Sequence, residues 1–509
     1  MLAALLLTVS RLPQTPIHLT VDEANQIGLI SPYIYGSNEG DWAAVPRHLT
    51  FGRQGGNRMT AYNWENNASN AGSDYRNQSD SYLGGGDIPG EVPRKAVAEA
   101  QEAGASFLVT IPLAGYVSAD KRGDGDVNQT PNYLQTRFNR SLPKKPSAFA
   151  YPPNLTDGVV YQDEFVSWLE HKFQNRQESA NIWYSLDNEP DLWGSTHSRI
   201  HPEKPTYAEI VEKSVSMSKA IKAVAPRTLI FGPASYGWGG YVNFQGAPDA
   251  AGRDFLEFYL SSLKQADTVS GKRLLDVLDL HWYPEVYGDG KRIVEQLATP
   301  GIAKARMQST RSLWDPTFVE DSWIAKSIGG VPINLIPRMK DKIARCYPGT
   351  KLAFTEYQYG GGNDISGAIA QADALGIFGR EGVFAAALWP LSGDSSFVHA
   401  GFDAFRNYDG AGGHFGEVEL KVTNPDPAFL GCYASTSAKT HRIVIILTNQ
   451  KSTSVMANLA LKNGSHGSMR QFSLTSAKAQ LVPGTFAEKT ESALHLQLPP
   501  LSVDVIELK

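Results

Sequence analysis

Between about residue 30 and residue 410 the chain alternates short unbroken apolar runs with longer stretches whose apolar residues recur at helical spacing. The runs are Tyr33–Tyr35, Thr50–Arg53, Ser106–Ile111, Ile182–Leu186, Thr228–Gly232, Val277–His281, Leu352–Thr355 and Val383–Leu388. Most lack polar alternation, as expected of parallel strands covered on both faces. Between them, Pro93–Ala103 starts on proline and stops before Gly104, a start-and-stop pair for a helix. Asp163–Asn175 carries Phe165, Trp168, Leu169 and Phe173 on one side, and Tyr207–Val224 does the same with Ile210, Met217, Ile221 and Val224. Asp254–Leu263, Leu335–Cys346 and Ile365–Phe378 are the later helices. Eight strands alternating with helices predict a closed barrel over residues 31–412, because eight is the number that closes. No Gly-x-Gly-x-x-Gly follows the first strand, which argues against a dinucleotide fold.

After about residue 415 the period changes. Arg442–Leu447, Val455–Leu461, Arg470–Leu474, Leu494–Leu498 and Leu501–Leu508 are short runs separated by turn residues. Leu501, Val503 and Val505 alternate with Ser502 and Asp504, the pattern of a half-buried antiparallel sheet. Ile17, Leu19 and Val21 alternate likewise, so residues 1–30 are expected to add a strand or two to a β-sandwich over 413–509. The fold class is therefore α/β: a TIM-like (β/α)8 barrel with a second, smaller β-sandwich domain formed by both chain termini. Leu2–Val9 is read as a first strand rather than a secretion-signal remnant, since no basic residue precedes Arg11. It is too short to span a bilayer, and no later stretch qualifies.

Composition narrows the class of partner. A formal net charge of -5 over 509 residues excludes the concentrated basic face that nucleic acid or an anionic membrane would need. Two cysteines, Cys346 and Cys432, cannot build a zinc cluster, and they fall in different expected domains, so no disulfide is expected. Six Asn-x-Ser/Thr sequons, beginning at Asn67 and Asn77, are close to what chance supplies in so Asn- and Ser-rich a chain.

The chemistry sits at strand ends. The run Ile182–Leu186 continues into Asp187-Asn188-Glu189-Pro190, and Leu352–Thr355 continues into Glu356-Tyr357. In a closed parallel barrel such positions face the mouth, and strands four and seven lie across it from each other. Two carboxylates flanking one bond are the equipment for glycosidic cleavage. Glu189 is assigned as acid/base, with Asn188 beside it to hold a sugar hydroxyl, and Glu356 as nucleophile. The bland alternatives are a helix-capping Glu189 and a Glu356 paired with a buried arginine. His281 and Tyr283, after strand six, can hydrogen-bond the nucleophile, although a satisfied structural histidine fits His281 equally. Trp389, after strand eight, can floor the sugar site. Trp64, Trp314 and Trp323 lie in long loops and are candidates for lining a cleft, whereas Trp168 and Trp183 read as core. Arg53 either orients a carboxylate or forms a structural ion pair. Asp120, Asp124 and Asp126, closely spaced with glycines, resemble a calcium loop, with Glu65 as a ligand from another loop; a solvated polar turn is the alternative.

Several of these segments resemble glycoside hydrolase family 44. They are Arg53-Gln54-Gly55-Gly56-Asn57-Arg58, Tyr62-Asn63-Trp64-Glu65-Asn66, Ser185–Pro190, Asp279–Pro284 and Phe354–Tyr357. The Tyr-Asn-Trp-Glu-Asn run is the most specific, and the similarity extends into the terminal strands. The resemblance implies a barrel with a sandwich built from both chain ends. It implies retaining endo-hydrolysis of β-1,4-glucans such as xyloglucan and carboxymethyl cellulose, sometimes xylan, with Glu189 as acid/base and Glu356 as nucleophile. It implies that a structural calcium can be bound; a polysaccharide partner, no cofactor in catalysis, a monomer and an extracellular location are the accompanying expectations. No dockerin or carbohydrate-binding module is recognisable, so a catalytic unit alone is expected. The competing expectations are a related barrel-plus-sandwich xylanase or arabinofuranosidase, and a non-catalytic carbohydrate-binding protein.

Overall fold

In the computed structural model, eight parallel strands among the described residues close into a barrel. In chain order they are β1 (Gly36–Ser37), β2 (Phe51–Gln54), β3 (Ser106–Ile111), β4 (Ile182–Leu186), β5 (Ile230–Tyr236), β6 (Val277–Trp282), β7 (Lys351–Tyr357) and β8 (Ala385–Leu388). The structure describes residues 15–38, 48–84, 86–176, 180–464, 466–484, 487–490 and 493–509; Leu2–Val9 lies outside them. No helix among the described residues is long and apolar enough to cross a membrane.

Two strands depart from the apolar runs, the first at a proline and the second at a bulge. Tyr33–Tyr35 is not a strand: Pro32 opens a one-turn 3-10 helix, Pro32–Ile34, with the Ser31 hydroxyl accepting from the Tyr33 amide, and pairing begins only at Gly36. β5 runs past the expected stop at Gly232: Pro233 keeps its register opposite Asp279 of β6, and the shift that follows leaves Ala234 (φ 54°) as the extra residue before Ser235 pairs with Leu280. The helices Tyr207–Val224 and Leu335–Cys346 have the expected bounds.

Phe51, Leu108, Trp183, Phe231, Val277, Ala353, Ala385 and Ala387, drawn from seven of the strands, form one buried cluster. Large rings on β2, β4 and β5 are matched by alanines on β7 and β8, the large-to-small pairing that lets facing side chains interdigitate. Trp183 packs 5.9 Å from Phe51 and 5.6 Å from Phe231, centroid to centroid. The two charged groups that matter later, Arg53 and Glu356, come from the same strands nearer their C-terminal ends.

The described residues divide into two compact units, and the division differs from the expected boundaries. The barrel unit is Ser31–Gly362 with Ala374–Ser395; residues 363–373 and 396–412 fall with the second unit, together with residues 15–30 and the C-terminal strands. In that second unit ten strands make one continuous sheet among the described residues. Ile17–Leu29 pairs antiparallel with Val418–Thr423 and parallel with Val455–Lys462. Leu19, Val21, Leu447, Leu459, Leu496 and Ile506 belong to one apolar cluster in it. Ser502–Leu508 is buried throughout rather than on one face. Its polar residues are satisfied instead of solvated: Asp504 accepts from the Ser473 and Ser502 hydroxyls, and Glu507 from Arg470 and the Tyr408 hydroxyl.

Candidate active site

Backbone irregularities at the C-terminal ends of β4 and β7 aim the two glutamates. In register, Leu280 faces Phe354 but His281 faces Glu356, so β7 carries one extra residue, Thr355. Such a bulge re-aims the next side chain. Asp279 of β6 holds it in place: its carboxylate accepts from the Thr355 hydroxyl at 2.9 Å and the Thr355 amide at 3.3 Å. After β4, Asp187 (φ 68°) and Glu189 (φ 45°) are both left-handed, a strained conformation for residues with a Cβ. The turn is locked by Asp187, whose carboxylate accepts from the Thr60 hydroxyl and from the Leu113 and Asn188 amides. The Glu189 amide bonds Ala234 at 2.9 Å. Glu189 precedes the 3-10 turn Pro190–Leu192, yet its side chain makes no capping bond. The capping alternative therefore does not hold.

Glu189, His281 and Glu356 bring one ligand-type atom each within 4.8 Å of one another, all three residues being buried. Arg53 Nη1 donates to Glu356 Oε1 at 2.7 Å, and the Tyr283 hydroxyl donates to Glu356 Oε2 at 2.7 Å. Glu356 is thus both a strand-end carboxylate at the mouth and the partner of a buried arginine. Arg53 Nη2 donates to Asn188 Oδ1 at 2.9 Å, an oxygen that also accepts from the Gly56 amide at 3.0 Å. His281 Nδ1 lies 2.8 Å from Glu189 Oε1. The glycine pair after β2 is required by this crowding: a Cβ on Gly55 would sit 1.9 Å from Arg53 Nη1, and one on Gly56 (φ 83°) would sit 2.9 Å from the Trp389 ring.

The two carboxyls are electrostatically unequal. Burial raises both. Glu189 is pushed well above the usual carboxylate range by burial, then by the Glu356 charge and by Asp191, with Arg53 opposing only weakly. For Glu356, Arg53 and the Tyr283 hydrogen bond pull against burial. Of the pair, Glu189 holds the proton and Glu356 the charge. His281 is driven well below its ordinary value by burial and by Arg53, so its ring is neutral.

The structure therefore gathers Arg53, Asn188, Glu189, His281, Tyr283, Glu356 and Trp389. It does not gather the loop tryptophans. Trp64 is 1% exposed, stacks on Phe165 at 5.6 Å and meets the tilted ring of Trp168 at 6.0 Å, beneath the outer helix Gln162–Lys172. Trp314 lies under the Arg380 guanidinium, at the end of the helix that leads to the start of β8 and so at the face opposite the mouth. Trp323 is 48% exposed and opens the short helix Trp323–Ser327 in the excursion between β6 and β7. Asn38, Thr60, Asp187, Asp191, Tyr241 and Asp279 were missed by the sequence. Asn38 links Arg53 to the bulge, accepting from Nη1 at 3.1 Å and donating to the Thr355 carbonyl at 2.8 Å. The Tyr241 hydroxyl donates to the His281 carbonyl.

The four expected calcium ligands do not share a point. Asp120 and Asp124 are both taken by Arg137, at 2.6 and 2.7 Å, and Asp126 by Arg199 at 2.7 Å. Glu65 stands apart from them, raised to about 8 by burial and by Asp157 and Glu164, with Lys145 opposing. Among the described residues the glutamate–histidine cluster is the one group compact enough to hold a metal ion, and the fixed Arg53 cation 2.7 Å from Glu356 opposes a resident one.

Residues 68–286 match the model of glycoside hydrolase family 44. The chain is 43% identical over 453 residues to endoglucanase A of Paenibacillus lautus, covering 85% of this chain and 64% of that protein. It is 42% identical over 452 residues to a beta-mannanase/endoglucanase A of Caldicellulosiruptor saccharolyticus, covering 83% of this chain and 33% of that protein, so it spans less than two thirds of either relative. The solved structure of a family 44 xyloglucanase of Paenibacillus polymyxa with xyloglucan superposes with a TM-score of 0.92 at 39% identity, over 97% of this chain and 100% of that one. With the barrel, the paired glutamates and full-length likeness to that enzyme in hand, the chain belongs to glycoside hydrolase family 44.

Proposed function

We propose that the protein is a retaining endo-β-1,4-glucanase that cleaves internal bonds of xyloglucan and related soluble β-glucans. The carrying observation is the approach of the Glu189 and Glu356 oxygens to within 4.8 Å. Retaining enzymes place the two carboxyls about 5–5.5 Å apart, whereas inverting ones leave about 6.5–9.5 Å for a water. Similarity to the Paenibacillus polymyxa xyloglucanase and the Paenibacillus lautus endoglucanase supports the choice of substrate.

In the first step Glu356 attacks the anomeric carbon while Glu189 gives its proton to the glycosidic oxygen. The aglycone leaves as an alcohol, and a glycosyl ester to Glu356 remains. In the second step water attacks that carbon, Glu189 takes the water proton, and the ester breaks to restore the Glu356 carboxylate. Arg53 and Tyr283 keep the nucleophile charged before attack and receive it on release. The Trp389 ring floors the reacting sugar. The substrate is an extracellular polymer, so the enzyme acts outside the cell, and we take it as a monomer. The calcium expectation is kept at Glu65, since the aspartates of the loop are held by Arg137 and Arg199; Glu65 belongs to no compact ligand cluster among the described residues, so an ion there would have to draw further carboxylates to it. A calcium-dependent rise in Tm that Glu65→Gln removes is the expected result, and a rise unchanged by that substitution contradicts it.

Incubation with xyloglucan, carboxymethyl cellulose, xylan and an aryl arabinofuranoside tests the activity. A fast fall in viscosity with few new reducing ends is expected on xyloglucan. Turnover of the arabinofuranoside alone, or binding without release, would overturn the proposal.

A further inference from the structure

Arg53 spends every hydrogen on its two terminal nitrogens. Nη1 donates to Glu356 Oε1 at 2.7 Å and Asn38 Oδ1 at 3.1 Å; Nη2 donates to Asn188 Oδ1 at 2.9 Å and faces His281 Nε2 at 3.4 Å. A guanidinium has no acceptor, and each terminal nitrogen has two hydrogens, so the fourth contact needs a lone pair on Nε2. With Nε2 protonated, two N–H groups would point at each other in a buried site. A doubly protonated ring is excluded by the same neighbour, because His281 is fully buried against a permanent cation. A neutral ring with a bare Nε2 carries its proton on Nδ1. That nitrogen lies 2.8 Å from Glu189 Oε1 and 3.4 Å from Glu356 Oε2.

We infer that Arg53 fixes His281 as its Nδ1–H tautomer, and that His281 thereby reserves Oε1 of Glu189 as an acceptor, so that the proton delivered to the glycosidic oxygen travels on Oε2. The role of Glu189 rests on the function proposed above; the tautomer does not. Oε1 faces an N–H, and the carbonyl-type oxygen of a carboxylic acid accepts better than its hydroxyl oxygen, so the proton is favoured on Oε2. Oε2 has no hydrogen-bond partner among the described residues, and the Glu189 side chain retains 10% exposure. After the first step the same Nδ1–H stabilises the Glu189 carboxylate that must activate water. One tautomer serves both half-reactions, so His281 neither relays a proton nor flips. Arg53 and His281 act on Glu189 as positioning residues. The titratable groups around them are Glu189, Glu356 and Asp279, which lies beneath Arg53, with the hydroxyls of Tyr283 and Tyr241 alongside.

The tautomer can be read directly. Protein labelled with 15N-histidine, with the His281 signals assigned by their loss in His281→Asn, is measured by long-range 1H–15N correlation from pH 5 to 8. A protonated Nδ1 and an unprotonated Nε2 are expected throughout that range. A protonated Nε2, alone or in an imidazolium, overturns the inference. Kinetics give an independent reading. An asparagine amide reaches the Nδ1 position and a glutamine amide the Nε2 position, so His281→Asn should keep kcat/KM about tenfold above His281→Gln. Equal losses, or the reverse order, contradict the assignment of Oε1. Should the wild-type protein cleave no glycan at all, the proposed function fails while the NMR result still decides the tautomer.

Discussion

At the residue scale the site is a division of labour between two glutamates made unequal by their neighbours. Glu356 has Arg53 and Tyr283 for donors, and Glu189, among the described residues, has His281 alone. Glu356→Ala should abolish turnover, and added azide should restore some of it as a glycosyl azide of inverted configuration. Asp191 is the less obvious residue. It is buried two positions after Glu189, accepts from the Tyr236 amide at 3.0 Å, and helps raise Glu189. The acid works only while protonated, so its pKa sets the basic limb of kcat/KM. Asp191→Asn removes a negative neighbour, lowers that pKa and should move the basic limb to lower pH; an unmoved or raised limb contradicts the assignment. Both glutamates were legible in the sequence, because a carboxylate ending an apolar run has few structural explanations. Asn38, Asp191 and Asp279 were not, because each acts on a partner that only the folded barrel brings near.

At the element scale the aim of the glutamates comes from a bulge and a strained turn, and the rigidity beneath them from the barrel interior. Trp183→Ala would open a cavity among Phe51, Phe231 and Phe384 and should cost about 3–5 kcal/mol, read as a lower unfolding temperature of the barrel. Gly55→Ala tests the turn. Its Cβ would displace the Arg53 guanidinium from Glu356, so kcat/KM should fall roughly a hundredfold. Strand and helix positions were readable where apolar runs were unbroken. They failed at Pro32, which opens a 3-10 turn where a strand was expected, and at Ala234, a left-handed bulge residue beyond which β5 goes on pairing. Trp64 and Trp314 were misplaced for another reason: a loop position says that a ring is outside the regular elements, not that it faces the mouth. Both rings found packing partners instead.

At the scale of the molecule, buried acids make stability depend on pH. Burial raises Asp187 to about 6, Asp191 and Asp279 to about 7 and Glu65 to about 8. A carboxyl raised on folding binds its proton more tightly in the native state, so its stabilisation is complete below the ordinary carboxylate range and is lost as pH rises through the folded value. The barrel should therefore unfold at a lower temperature at pH 8.5 than at pH 5.5, and Glu65→Gln should flatten the alkaline part of that slope. Glu507 of the sheet unit behaves oppositely: lowered to about 2, chiefly by Arg470 and Tyr408 against burial, its contribution is present above about 4.5 and lost only in strong acid. A Tm that rises from pH 5.5 to 8.5 would contradict the protonated state assigned to these groups. The two-part architecture was legible from the change of period near residue 415, but not the grouping of residues 363–373 and 396–412 with the sheet, which depends on contacts no local pattern records.

The most direct measurement is mass-spectrometric identification of the residue labelled by a 2-deoxy-2-fluoro cello-oligosaccharide carrying an activated leaving group, which slows the second step and lets the ester accumulate. The label is expected on the peptide containing Glu356. A label on Glu189 would reverse the two roles, and unlabelled protein that still turns over its substrate would exclude the covalent route.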